Sequence, residues 1–182
     1  MTAEGMRTYP AFRDVHGACR HTCFMTDCHL CAENLASDDG SDPWFIARLQ
    51  TGYVRLAPNQ YFRGSSFFVA KECVREIFDL EVATRDLHLA EMAEVASAVN
   101  RAFTPRKMNV ESLGNGVPHL HWWITPRYET DPRPLGPIWE DLDFLRLLWT
   151  SQGRLSPEEF SVTRNELLAA LRASDITVEE QF

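Results

Sequence analysis

KMNVESLGNGVPHLHWWITPRY, residues 107–128, decides the fold. KMNVESL (107–113) alternates in polarity as a strand does. GNG (114–116) marks a loop, and HLHWWIT (119–125) predicts a second strand. Strand side chains alternate between faces, so His119, His121 and Trp123 share one side and Leu120, Trp122 and Ile124 the other. The second set is apolar and predicts the core side. The first set carries chemistry. Neutral imidazole exists at pH 7 and attacks phosphorus well. Backbone amides at Asn115 and Gly116, just upstream, can meet phosphate oxygens. Taken on composition and period alone, hydrogen-bonded core histidines explain the pattern equally well.

Working outward, GYVRLAP (52–58) and SSFFVAK (65–71) predict two strands. The link between them, punctuated by Pro58 and Gly64, is short enough for an antiparallel pair. CVREIFDL (73–80) predicts a short helix. TRDLHLAEMAEVASAVNRAF (84–103) predicts a long one, with Leu89, Met92, Ala96, Val99 and Phe103 on one stripe. Thr84 is its expected N-cap, and Pro105 its stop. ENLASDDGSD (33–42) has the composition of a loop. After the Pro-rich link 126–137, IWEDLDFLRLLW (138–149) predicts a helix presenting Leu142, Leu145 and Trp149. SPEEFSVTRNELLAALRA (156–173) opens on Ser156 as cap, Pro157 at the first helical position and Glu159 three residues after the cap. Its stripe is Phe160, Thr163, Leu167 and Leu171. The tail therefore predicts two packing helices, with a dimer contact or a lid as the alternative. The expected divisions are an irregular segment 1–25, a catalytic domain 26–137 and a helical extension 138–182.

The chain has 182 residues, enough to bury a core without staples, and a formal net charge of −8. That balance argues against broad nucleic-acid binding, which requires a basic face. No apolar run is long enough for a membrane span, and the start MTAEGMRTYPAF has no basic-then-apolar leader. A cytoplasmic protein is expected, whose five cysteines are thiols or metal ligands rather than disulfides. Four of them fall in CRHTCFMTDCHLC: Cys19, Cys23, Cys28 and Cys31. Cys73 stands apart. Cys28 and Cys31 have the C-x-x-C spacing that presents two thiolates to one tetrahedral zinc, and one pair needs two further ligands. A compact knuckle of Cys19, Cys23, Cys28 and Cys31 is one solution, and free thiols are another.

Residues 107–128 closely resemble the signature of the histidine-triad (HIT) family of nucleotide hydrolases and transferases. That signature alternates three histidines with apolar residues after a glycine-bearing loop, and Pro-Arg often follows. YFRGSSFFVAKECVREIFDL (61–80) is similar to the family's earlier segment, and the resemblance spans roughly residues 26–140. It implies an α+β fold: an antiparallel sheet of about five strands with one long helix, here with a helical C-terminal extension. It implies that His121 attacks the α-phosphorus of a nucleotide ester or anhydride, forming a covalent nucleotidyl-histidine. Asn109, Asn115 and Gly116 match positions that contact phosphate or sugar. Relatives form dimers, so a homodimer binding a small nucleotide is expected, with neither nucleic acid nor membrane as partner. Zinc-bearing branches of the family use the Cys pair, a residue just after the second strand, and the first motif histidine. Here these are Cys28, Cys31, Cys73 in place of a histidine, and His119, closing a structural zinc site.

Three departures stand out. Trp123 replaces the third histidine, which assists the leaving group; an indole N–H can donate a hydrogen bond but transfers no proton. A related branch with glutamine at this place is active, so turnover is not excluded. Gly116 stands where Ser or Thr is usual, leaving only the backbone amide. Ala57 stands where a ribose-binding Asp or Asn is usual, with Asn59 as a nearby substitute. A non-catalytic nucleotide-binding module, or a specialised biosynthetic enzyme using the same site, stays open beside the hydrolase. Elsewhere, Trp122, Phe67 and Phe68 are expected in the core, Trp44 in packing rather than on a base, Arg127 in an ion pair and Lys71 in solvent. His16, His21, His29 and His88 are expected as surface or helix residues.

Overall fold

The computed structural model describes residues 28–148, 150 and 153–179. Five strands form one antiparallel sheet: β1 (Phe45–Arg48), β2 (Gly52–Leu56), β3 (Ser66–Ala70), β4 (Lys107–Glu111) and β5 (His121–Arg127). Their order is β1-β2-β3-β5-β4, which leaves β4 on one edge and puts β5 beside β3 in the interior. The helices are α1 (His29–Asp39), α2 (Val82–Phe103), α3 (Leu142–Leu147) and α4 (Pro157–Arg172).

The long helix α2 covers one face of the sheet. Val95, Ala98, Val99 and Phe103 meet Val54, Leu56, Phe68 and Ile124 in the main core. Its buried stripe is turned by about one residue from the apolar one expected: Leu89 is exposed, while His88 and Glu91 are buried. Glu91 explains the turn, because its carboxylate accepts from the backbone N–H groups of Gln50 and Thr51 at the β1–β2 connection. The helix begins at Val82, capped by the Glu81 side chain on Ala83 N–H rather than by Thr84. Leu167 and Leu171 of α4 are wholly buried in the same core. The capping box at Ser156 and Glu159 is present with Pro157 behind it.

Three predicted elements differ. Residues 33–42 are not a loop, since α1 runs through most of them and ends on Gly40 at φ 79°. Its sheet-facing side is polar, so no apolar period betrays it. Asn34, Ser37 and Asp38 bond Ala70 O, the Arg55–Asp42 pair and the Tyr53 hydroxyl. The helix expected over 73–80 is a single 3-10 turn, Ile77–Asp79. The helix expected over 138–149 is broken. A 3-10 turn at Ile138–Glu140 precedes Asp141, whose carboxylate caps the N–H groups of Asp143 and Phe144 and restarts the chain as α3. Phe144 turns inward and Leu142 outward, against the predicted face, while Leu145 packs inward with Phe144 as expected; Trp149 lies outside the described residues. Among the described residues no helix is long and apolar enough to cross a membrane.

Candidate functional site

Cross-strand register defines the working face of the sheet. Phe67 pairs with Arg55 on one side and Trp123 on the other, and Val69 pairs with Tyr53 and His121. Directly paired residues share a face. Tyr53, Arg55, Phe67, His121 and Trp123 therefore lie together, opposite the core side. Phe67 is half-buried on this face, not in the core as expected. It meets Trp123 edge-on at 5.1 Å and the His121 ring at 6.5 Å. Trp122, on the opposite side, packs against the main core and donates to His88.

His119 and Leu120 precede the strand, which begins at His121. The backbone there is tied to the neighbouring loop, Leu120 N–H donating to Val74 O at 2.7 Å. His119 is wholly buried. Its Nδ1 faces Cys28 Sγ at 3.3 Å and Cys31 Sγ at 3.5 Å, while Nε2 lies 2.9 Å from Ala70 O. A carbonyl only accepts, so Nε2 carries the proton and Nδ1 offers a lone pair toward the sulfurs. Burial pushes the His119 pKa down, favouring the neutral ring. Cys73 completes the group: the ligand atoms of Cys28, Cys31, Cys73 and His119 lie within 4.8 Å of one another. One nitrogen and three thiol sulfurs, from residues that are buried or half-buried, with the histidine's second nitrogen bonded to a carbonyl, fit a tetrahedral zinc. Cys19 and Cys23, the other half of the knuckle alternative, lie outside the described residues, as do His16 and His21.

His121 is half-buried. Its Nδ1 sits 2.6 Å from His119 O, so Nδ1 holds the proton and Nε2 is the unprotonated nitrogen. Among the described residues Nε2 has no protein partner. Beside it, Trp123 and Phe67 form a wall of a cavity of about 220 Å³, completed by Ala57, Asn59, Ser65, Ser66, Thr125, Phe144, Leu148 and Arg154 among others. Trp139 rests on Trp123 at 5.9 Å. The C-terminal segment thus roofs the working face. Asn115 and Gly116 are exposed in the β4–β5 loop, and an added Cβ at Gly116 would meet nothing within 4 Å. Asn109 lies on the same face of β4, opposite Thr125, and its Oδ1 accepts from Arg127 Nη1 at 3.3 Å. Asn59 lines the same cavity, where it donates to Leu147 O and accepts from Tyr61 N–H.

The HIT domain family model matches residues 67–130, the stretch that holds β3, α2, β4 and β5. That stretch matches the HIT domain. The chain's fold is that of solved histidine-triad proteins. One from Sinorhizobium meliloti is 23% identical with TM-score 0.58, covering 70% of this chain and 88% of that one. One from Marinobacter aquaeolei is 24% identical with TM-score 0.57, at the same coverage of 70% and 88%. A Zn-bound histidine triad family protein from Mycobacterium smegmatis is 18% identical with TM-score 0.54, covering 80% and 94%. A search of curated proteins finds no match.

The fold also holds groups that sequence reasoning missed. His88 lies on a helix, α2, as expected, but not at the surface; it is wholly buried and stacked on Phe68 at 4.6 Å. Trp122 Nε1–H donates to its Nε2 at 3.1 Å, so its Nδ1–H donates to Thr51 Oγ1, which donates in turn to Glu91. Burial pushes its pKa down to about 4. Arg55 is buried in an ion pair with Asp42 at 2.6 Å. A lone charge inside a strand gives no sign of such burial. Arg127 forms the expected ion pair, with Asp131 at 2.8 Å, and is itself wholly buried. Lys71 is held by Glu179 at 3.1 Å instead of lying in solvent, and Trp44 packs edge-on against Phe160.

Proposed function

We propose that this protein hydrolyses or transfers at the α-phosphate of a nucleoside polyphosphate or nucleotide ester, through His121. The observation that carries the reading is the hydrogen bond from His121 Nδ1–H to His119 O, which turns the unprotonated Nε2 away from its own backbone. In the first step Nε2 donates its electron pair to phosphorus. A P–N bond forms, and the P–O bond to the leaving group breaks, the leaving group taking that electron pair as an anion. Water or an acceptor hydroxyl then attacks phosphorus, the P–N bond breaks, and neutral His121 returns as the attacking oxygen loses its proton. Asn115 and Gly116 amides would meet the phosphate oxygens, and Asn109 would reach phosphate or sugar.

Trp123 sets the substrate class. Its indole N–H can hydrogen-bond a phosphate oxygen but delivers no proton, so leaving groups that depart as stable anions are favoured over amines. Diadenosine-polyphosphate-like anhydrides fit this rule. The cavity behind Trp123 would take the nucleoside.

Zinc would be held by Cys28, Cys31, Cys73 and His119. Four protein ligands leave no open position, so it would supply structure, tying α1 to the residue before His121. We read the protein as a cytoplasmic homodimer, in line with the outer edge of β4, which pairs with no strand among the described residues, and its exposed Val110. The test is direct. Purified protein and His121→Ala are incubated with diadenosine tetraphosphate, an adenosine phosphoramidate and a nucleotide sugar. Turnover of the anhydride that falls at least ~10³-fold in the variant supports the reading. Binding without turnover by either protein makes it a nucleotide-binding module instead.

A further inference from the structure

Ala70 O accepts two hydrogen bonds from opposite partners. One comes from His119 Nε2–H at 2.9 Å and the other from Asn34 Nδ2–H at 3.0 Å. Asn34 is buried on α1, three residues beyond Cys31. Its Oδ1 accepts from Arg55 Nη2 at 3.0 Å. The same Nη2 donates to Ser37 Oγ at 2.8 Å, one turn further along α1, and Arg55 Nε donates to Asp42 Oδ2 at 2.6 Å. A continuous relay therefore runs from the Arg55–Asp42 pair through Asn34 and the Ala70 carbonyl to the His119 ring.

Stability alone explains this arrangement poorly. Arg55 and Asp42 side chains are 4% and 5% exposed, and Arg55 Nη1 is buried with no protein partner. Desolvating such a pair can cost more than its attraction returns, and apolar residues of similar size often serve as well. What the pair does achieve is geometric. The planar guanidinium, forked between Asp42 on one side and Asn34 and Ser37 on the other, fixes the rotation of α1 over β2 and β3. That rotation sets where Cys28 and Cys31 point. Through Asn34 it also holds the carbonyl that keeps the His119 proton on Nε2 and its lone pair on Nδ1.

We propose that Asn34 and Arg55 are positioning residues for the metal centre, pre-setting the thiolates and the imidazole tautomer before an ion binds. Partners one shell out from metal ligands typically alter metal affinity about 10–100-fold when removed.

The test is zinc affinity by competition with a chromophoric chelator, measured on the full chain beside thermal unfolding of metal-free and metal-loaded protein. Asn34→Ala removes both ends of the relay, and zinc binding is expected to weaken ~10–100-fold. Asn34→Asp is nearly isosteric, keeps the acceptor for Arg55 and loses only the donor to Ala70 O; the same direction is expected. Arg55→Lys keeps the charge and loses the fork, so weakened zinc binding there points to geometry rather than charge. Asn34 variants that bind zinc as tightly as wild type, whatever their unfolding temperature, would overturn the proposal. A second readout needs no variant. Nitrogen-15 spectra of zinc-loaded wild type should show His119 protonated on Nε2, and metal on Nε2 instead would sink the relay. Neither measurement depends on turnover, so loss of the hydrolase reading leaves this inference standing, and the reverse.

Discussion

His88 makes the fold's acid stability calculable. Its ring is wholly buried between Phe68 and the Trp122 indole, and burial pushes its pKa from 6.5 down to about 4. The native protein therefore keeps His88 neutral over a range where the unfolded chain already binds a proton. Stability from this group is fully present above pH 6.5 and is lost as pH falls toward 4. A shift of that size corresponds to about 3 kcal/mol, of which roughly 2.5 kcal/mol is gone by pH 4.5. His88→Phe supplies the reference. It fills similar space and cannot titrate, but strands the Trp122 N–H, costing about 1–3 kcal/mol at pH 7.5. Urea unfolding of both proteins between pH 7.5 and 4.5 isolates the term, because carboxylates and metal ligands titrate in both. The stability gap should close as the solution is acidified, and can reverse sign by pH 4.5. Curves that run parallel over the whole range would refute the reasoning.

Other perturbations have definite outcomes. Cys73→Ser leaves three metal ligands, so zinc measured by emission spectroscopy should fall well below one per chain; unchanged content would rule out the four-ligand set. Trp123→His restores a proton donor beside the phosphate. Its turnover of an adenosine phosphoramidate should rise by up to about 10²–10⁴-fold, with a far smaller change on a polyphosphate; equal effects on both would contradict the leaving-group argument. Gly64 sits at φ 87° with the Phe103 ring where a Cβ would go. Gly64→Ala should therefore cost roughly 2 kcal/mol or more in denaturant unfolding.

Much of this was legible in the chain because period and spacing carry it. β2, β3, β4 and β5 follow from alternation and α4 from its capping box. The C-x-x-C pair, Cys73 and His119 converge as the HIT resemblance implies. What stayed hidden has polar side chains buried by distant partners. α1 has the composition of a loop because Asn34, Ser37 and Asp38 face the sheet, where Arg48, Tyr53, Arg55 and the Ala70 carbonyl partner them. β1, four residues long, is too short for a periodic signal. The stripe of α2 was misplaced because Glu91 and His88 are inside, an arrangement that depends on Thr51, some forty residues earlier. The cavity beside Trp123 needed residues from four segments and the break at Asp141, which local propensity does not encode.

The most direct measurement is mass spectrometry of the protein quenched without acid during turnover of a dinucleoside polyphosphate. A nucleotidyl adduct is predicted on His121, short-lived in wild type and missing from His121→Ala. Turnover with no adduct at any time, or an adduct on another residue, would contradict His121 as the nucleophile.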